Sequence, residues 1–315
     1  MERVSAQPYA SADLEGSVAL LRAWRVACAP DHELTTGRLR LLLISRLWEP
    51  ERNARLWRDE ETGELRGFVA LLQRWQRTPH LGLLHIVHPD APEPLRDELF
   101  AWAAQRAGDI ATELGQPVSL GDSVREDDAA YAAFLEVQGF ARQDGAHNVL
   151  MRCSLERLLP DVVLPQGYTV REVAGEGEIE AYTDLYNSVS SPMSAEQRHM
   201  LMRYPSYDPR LHLVAVAPDG RPAAFCEGSA DADEWALSGL RGGWVEHVGT
   251  HPDYQGRGLG RAVTLACLHR LQALGATQAT LVTRSDNAIA QHIYRSLGFT
   301  IFAREWPYTR MIPLP

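Results

Sequence analysis

His251-Pro252-Asp253-Tyr254-Gln255-Gly256-Arg257-Gly258-Leu259-Gly260-Arg261 is the stretch that decides how this chain is read. The apolar segment Trp244–Thr250 runs into it and predicts a strand. Leu259, Val263, Cys267 and Leu271 follow at i, i+4, i+8 and i+12, with Leu268 beside them. That single apolar stripe predicts a helix packed along one face, and Gly275 supplies its stop. The glycines therefore sit where a strand hands over to a helix. At such a junction, bare backbone N–H groups and the positive end of the helix dipole can hold a phosphate. Arg257 and Arg261 bring further positive charge to the same place.

Three phosphate-binding readings compete. A P-loop ends in Gly-Lys-Ser/Thr, and this loop does not. A dinucleotide fingerprint needs a small third residue where Arg261 stands, and an acid some twenty residues on to take a ribose, which is missing. The third reading fits. Gln255-Gly256-Arg257-Gly258-Leu259-Gly260, following Val248-Gly249-Thr250-His251-Pro252-Asp253, resembles the pyrophosphate loop of the GNAT superfamily of acetyl-CoA-dependent N-acetyltransferases. The resemblance continues through Ser285-Asp286-Asn287-Ala288, which opens a second helix, and Tyr294-Arg295-Ser296-Leu297-Gly298-Phe299, which closes it.

The resemblance implies an α/β fold whose mixed, mostly antiparallel twisted sheet is flanked by helices. It also implies that the strand before the loop and the strand after its helix splay apart to admit acetyl-CoA. Carried over position by position, backbone groups of Val248, Gly249 and Thr250 would pair with the thioester and pantetheine arm. Amides from Gln255, Gly256, Arg257, Gly258, Leu259, Gly260 and Arg261 would hold the pyrophosphate. Asn287 would bond the pantetheine arm or bound CoA. Tyr294 would protonate the leaving thiolate, a transfer worth roughly 10²–10⁴-fold. The Val248 or Gly249 N–H would stabilise the oxyanion. No metal is called for.

The amine needs a proton acceptor or an anchor. Glu246 lies two residues before Val248, and strand alternation puts both on one face of the sheet. A carboxylate there would take the proton through water or bind the ammonium form first. Glu227, near the end of the preceding strand, is the other candidate. By the same alternation His247 points away from Glu246 and packs under helices. His251 belongs to the His-Pro turn and reads as structural.

The first half repeats the second in degraded form. His88-Pro89-Asp90 recurs as His251-Pro252-Asp253, and Gly139-Phe140 as Gly298-Phe299. Where the second half has Gln255–Gly260, the first has Pro92-Glu93-Pro94-Leu95-Arg96-Asp97, and Leu135 falls where Tyr294 stands. Prolines remove backbone donors and acids repel phosphate. The chain is thus expected to hold two tandem GNAT folds. A degenerate one over 1–159 lacks an acetyl-CoA loop and a catalytic one covers 160–315, with the boundary near Pro160 in a proline-bearing connector. The arrangement is similar to that of the mycothiol synthase branch, whose acceptor is a cysteinyl amino sugar. Here, however, Trp244 stands where that branch is expected to carry a substrate-contacting glutamate.

Asn148–Cys153 reads as the last strand of the first half, Ala230–Gly242 as an acidic loop, and Thr300–Glu305 with Tyr308–Ile312 as a hairpin turning at Trp306-Pro307.

The 315 residues, 45% hydrophobic and 23% charged, suffice for two cores. A formal charge of −10 with no Lys/Arg-rich run argues against nucleic acid, and no window suits a membrane span. Four scattered cysteines without a Cys-x-x-Cys pair argue against a zinc site or a disulfide framework and suit a reducing cytoplasm. The expected partners are acetyl-CoA and a primary amine of a small molecule (amino sugar, antibiotic or amine metabolite), in a monomer or homodimer. The alternative is an acetyl-CoA-responsive sensor or protein-acetylating module whose first domain binds a partner.

Overall fold

The computed structural model describes residues 3–28, 34–44, 48–74, 79–190, 192–203 and 207–314. It divides into two compact units, 1–145 with 305–315, and 146–304. In chain order the elements of the first stretch are β1 (Val4–Pro8), α1 (Leu14–Cys28), α2 (Thr36–Ile44), α3 (Pro50–Asn53), β2 (Ala54–Asp59), β3 (Leu65–Arg74), β4 (His80–Val87), α4 (Pro94–Leu114), β5 (Val118–Arg125), α5 (Ala129–Val137) and β6 (Ala141–Arg142). Then come β7 (Asn148–Ser154), β8 (Thr169–Glu172), α6 (Ile179–Asn187), α7 (Ala195–Met202), β9 (His212–Val216), β10 (Pro222–Ala230), α8 (Ala232–Ser238), β11 (Gly242–Thr250), α9 (Leu259–Ala273), β12 (Gln278–Arg284), α10 (Ala288–Ser296) and β13 (Thr300–Ile312).

The second unit orders its strands β7-β12-β11-β10-β9-β8, with β11 and β12 parallel and the neighbouring pairs antiparallel. Period-2 alternation sorts the side chains to two faces. Leu213, Ala215, Ala224 and Cys226 pack with Val263, Cys267 and Leu271 of α9, while Val214, Val216 and Phe225 pack with Tyr182, Leu185 and Tyr186 of α6. The predicted stripe Leu259, Val263, Cys267, Leu271 is fully buried. Each of the aliphatic side chains contributes roughly 1.5–3 kcal/mol by leaving water. A capping box opens α7: Ser194 Oγ accepts from Gln197 N, and Gln197 Oε1 accepts from Ser194 N.

The first unit repeats this plan with β1-β2-β3-β4-β5-β13 and a parallel β4–β5 pair. The repeat holds down to single hydrogen bonds. His88 Nδ1 accepts from Asp90 N, and His251 Nδ1 from Asp253 N, both at 3.2 Å. After α5 and α10, Phe140 N bonds Leu135 O and Phe299 N bonds Tyr294 O across Gly139 and Gly298, both at positive φ.

Three sequence expectations are corrected. First, β7 was read as closing the first half, yet it pairs along its whole length with β12 of the second unit. Conversely, residues Glu305–Ile312 of β13 pair with β5 of the first. The compact units therefore divide at 145/146 and 304/305 rather than near Pro160. The physical reason is edge pairing: β5 and β12 would otherwise each leave a ladder of N–H and C=O groups unpaired. Second, β13 is continuous through Trp306-Pro307, not a hairpin. Pro307 offers its carbonyl to Gln143 N. The N–H it lacks would point to that same side, so pairing with β5 loses nothing. Third, the acidic loop Ala230–Gly242 contains α8, capped by Asp231, whose carboxylate accepts from Asp233 N and Glu234 N. The apolar run that begins at Leu39 lies in α2 as far as Ile44, and 45–47 lie outside the described residues. Among the described residues no helix is long and apolar enough to cross a membrane.

Candidate active site

The parallel pairing of β11 with β12 covers only Gly242–Trp244 against Gln278–Thr280. Yet β11 runs on to Thr250 and β12 to Arg284. From Val245 onward the strands diverge, and the backbone groups of β11 that face β12 lose their ladder partners. A wedge of unpaired peptide groups can hold an extended amide-bearing chain. Val248 and Gly249, opposite Cys226 and Phe225 on β10, lie on this divergent segment with Thr250. A Cβ on Gly249 would lie 2.4 Å from Phe225 and 2.5 Å from Val189, so no side chain fits there.

The glycine loop follows. Gly256 and Gly258 adopt φ of +75° and +78°, which any L side chain would strain. Gly258 is the N-cap of α9, and no side chain caps that helix. Its first N–H groups lack intrahelical acceptors, and these are the amides expected to meet a phosphate. The Leu259 side chain is buried, so that residue offers only its backbone. Gly260 approaches Thr250 so closely that a Cβ would lie 3.2 Å from Oγ1. Gln255 donates from Nε2 to Thr250 O at 3.3 Å. Arg257 donates to Tyr168 Oη at 2.8 Å and to Asp253 O at 3.2 Å, and with Arg221 it flanks the Tyr254 ring. Arg261, on the first turn of α9, forms no ion pair among the described residues.

Asn287 caps α10: its Oδ1 accepts from Ala290 N at 3.1 Å, and its amide nitrogen has no partner among the described residues. Tyr294, further along α10, packs edge-on against Phe299. Its hydroxyl has no hydrogen-bond partner among the described residues. Burial, with the nearby Cys226, pushes its phenol above the usual range.

The other face of the sheet departs from the expected alternation. Val245 pairs with Gly228 and His247 with Glu227, so Glu246 is the extra residue of a bulge in β11. Val245 and Val248 both join the core under α9, whereas Glu246 accepts a 2.6 Å bond from Ser229 Oγ on the opposite face. His247 lies against Tyr186 of α6, with ring centroids 5.8 Å apart. Hence Glu246 does not share a face with Val248, and His247 does not point away from Glu246. The bulge resets the period, and both side chains emerge toward α6 and α7.

Beside them lies a polar cluster drawn from β9, β10, α6 and α7. Glu227 Oε1 accepts from Tyr182 Oη and from Arg198 Nη1, each at 2.6 Å, and Glu227 Oε2 lies 3.3 Å from His247 Nδ1. His212 Nε2 is 3.6 Å from the same carboxylate, while its Nδ1 contacts Tyr207 Oη at 2.8 Å. The Arg198 guanidinium stacks over the Tyr186 ring at 4.3 Å. Burial alone would raise the Glu227 pKa, but its His247 contact and the Arg198 charge outweigh it and lower the pKa to about 2. Burial drives His212 the other way, down to about 4, so its imidazole is neutral at pH 7. Glu227 is thus a fixed anion. Full transfer of a proton from an ordinary amine of pKa near 8 would run about 8 kcal/mol uphill. A carboxylate held this far down is a poor proton acceptor for such an amine. The signal available in the sequence was Tyr182 and Tyr186 at i, i+4 in one short helix with Arg198 in the next, a cation-plus-aromatic set.

Residues 179–299 match the family described as Acetyltransferase (GNAT) family. Over 188 residues the chain is 33% identical to a mycothiol acetyltransferase of Nocardioides sp., covering 55% of this chain and 63% of that one. Over 210 residues it is 31% identical to a mycothiol acetyltransferase of Frankia alni, covering 63% of each. The matched part spans less than two thirds of either relative's own length. Among solved structures, a GCN5-related N-acetyltransferase from Sphaerobacter thermophilus aligns over 99% of this chain and 97% of its own, with a TM-score of 0.72 at 20% identity. A tandem GNAT protein from the clavulanic acid biosynthesis pathway aligns over 98% and 99%, with a TM-score of 0.70 at 17% identity. These two structures share the fold.

Proposed function

We propose that this chain, whose residues 179–299 form a GNAT acetyltransferase domain, transfers an acetyl group from acetyl-CoA directly to a primary amine of a small molecule. The observation that carries the reading is the divergence of β11 from β12 immediately before an uncapped, glycine-led helix N-terminus. One feature leaves backbone groups free for a pantetheine arm and the other presents amides and positive dipole to a pyrophosphate. Acetyl-CoA supplies the activated acyl group. Backbone of Val248, Gly249 and Thr250 would align the pantetheine arm and thioester, with a Val248 or Gly249 N–H facing the developing oxyanion. Amides from Gln255 to Arg261 would hold the pyrophosphate, helped by the charge of Arg261, and Asn287 would offer its side-chain amide. Tyr294 would give its proton to the departing thiolate. Glu246, turned toward α6 and α7 by the bulge, would meet the amine.

The mycothiol acetyltransferase relatives favour a mycothiol-type acceptor among the amines, against which stands Trp244, placed where that branch is expected to carry its substrate-contacting glutamate. The first unit is proposed not to bind acetyl-CoA. Its α4 opens on Pro94 with Asp97 in the first turn. Its diverging strands are bridged by side chains: His85 of β4 contacts Asp122 of β5 at 3.5 Å, and both bond Tyr131 of α5.

Calorimetric titration with acetyl-CoA tests the binding half of this reading. We expect one site per chain, weakened at least about tenfold by Gly258→Val, which strains the loop and blocks its amides. Two sites per chain, or unchanged binding by Gly258→Val, would refute it.

A further inference from the structure

The acceptor side of the bulge carries an imidazole whose surroundings are built as those of a proton acceptor. His247 is half exposed, with its side chain 51% accessible, and its Nδ1 faces Glu227 Oε2 at 3.3 Å. That carboxylate cannot swing away, because its other oxygen accepts from both Tyr182 and Arg198. An anion fixed at Nδ1 selects the tautomer with its proton on Nδ1 and leaves the lone pair on Nε2. Among the described residues Nε2 has no hydrogen-bond partner. Glu246 is the neighbouring residue on the same face of the sheet.

From this geometry we propose that His247 is the general base for the acceptor amine, with Glu227 as the positioning residue behind it and Glu246 as the carboxylate that holds the incoming ammonium. The inference rests on the acyl-transfer reading above and assigns its missing proton acceptor. In the step, the ammonium held by Glu246 gives one proton to His247 Nε2, and the freed lone pair forms the new bond to the acetyl carbon as the carbon–sulfur bond breaks. The Tyr294 phenol gives its proton to the thiolate, and the second nitrogen proton passes to the phenolate. Imidazolium then loses its proton to water, so ammonium and acetyl-CoA become amide, CoA thiol and one released proton.

The groups facing His247 agree with the role. Burial alone would lower its pKa and Arg198 of α7 also lowers it, but Glu227 of β10 and Glu246 of β11 outweigh them and raise it. The uncharged ring of Tyr186 covers it from α6. A base raised above the ordinary imidazole value is a better proton acceptor for an amine than a free imidazole.

The test is a pH profile of kcat/KM from pH 5 to 9 on wild type, H247Q, E246Q and E227Q. The acceptors are glucosamine, a cysteinyl-glucosamine amide and putrescine, and the His247 imidazole is titrated by NMR in parallel. We expect wild-type kcat/KM to fall on the acid side at the pH where His247 titrates. H247Q should lose that limb and about a hundredfold in plateau rate, while binding acetyl-CoA as tightly as wild type. E227Q should shift the limb to lower pH. E246Q should raise the KM for amine and keep the limb. Glu227 is built into the core, so H247Q, on a half-exposed side chain, carries the decisive comparison. Retention of the acid limb in H247Q, or its loss in E246Q instead, overturns the assignment alone. Absence of turnover by wild type with every amine overturns the acyl-transfer reading and the assignment together.

Discussion

Replacing Glu227 with Gln measures what holds the acceptor face together. The carboxylate is 17% accessible and accepts from Tyr182 and Arg198 at 2.6 Å each. Its pKa falls from 4.5 to about 2 on folding. About 2.5 units at 1.36 kcal/mol each give about 3 kcal/mol of stability at pH 7. Mutational experience with buried pairs broken on one side, about 3–5 kcal/mol, agrees, because Arg198 is left buried without a counter-charge. The unit containing the cluster has roughly 160 residues, so the melting temperature should drop by about 6–12 °C. Because the folded pKa is depressed, the contribution is full above pH 4.5 and is lost as pH falls toward 2. Urea unfolding of wild type and E227Q should therefore give curves about 3 kcal/mol apart at pH 7 that converge below pH 4.5. The double variant E227Q/R198M should cost less than the sum of its parts, since neither charge is then stranded. A gap under about 0.5 kcal/mol at pH 7, or one unchanged at pH 3, would refute the reasoning.

Tyr294→Phe should slow acetyl transfer about 10²-fold or more while leaving acetyl-CoA affinity and thermal stability near wild type, because its hydroxyl has no hydrogen-bond partner to lose among the described residues. Stopped-assay kcat with calorimetric Kd checks this, and an unchanged kcat would discard the acid role. His212 should remain neutral at pH 5 and titrate near 4, since burial lowers it. Protonating the unfolded chain below pH 6.5 then drains up to about 3 kcal/mol of stability between pH 6.5 and 4. An imidazole NMR titration with a midpoint at or above 6 would contradict the buried cluster. Gly249→Ala should cost about 1–3 kcal/mol, as its Cβ would meet Phe225 and Val189 at about 2.5 Å. Thermal unfolding without loss would mean that the strand has room at that position.

How much of this was legible differs between backbone and side chains. The loop, the buried α9 stripe and the two helix stops were readable because each depends on local chemistry: glycines at positive φ and apolar residues at helical spacing. Strand ownership was not. Asn148–Ser154 has the same alternation whichever edge it pairs with, and only β12 decides it. Pro307 looked like a turn because its missing N–H matters in a central strand, but here the donor falls on the side where only a carbonyl is needed. The acceptor face was misread for a single reason. One extra residue in β11 moves Glu246 and His247 onto the same side, and a strict two-residue period cannot contain that residue. Arg198 and Tyr182 are both buried. Their role appears only when Glu227 arrives from a distant strand.

The most direct test of the central claim is thiol release from acetyl-CoA by the wild-type chain, measured with a panel of primary amines that includes a cysteinyl amino sugar. The account predicts amine-dependent release with at least one acceptor, stoichiometric acetyl-amide product, and a rate at least about tenfold above that of Tyr294→Phe. Tight acetyl-CoA binding with no amine consumed would contradict it and favour an acetyl-CoA-responsive binding protein instead.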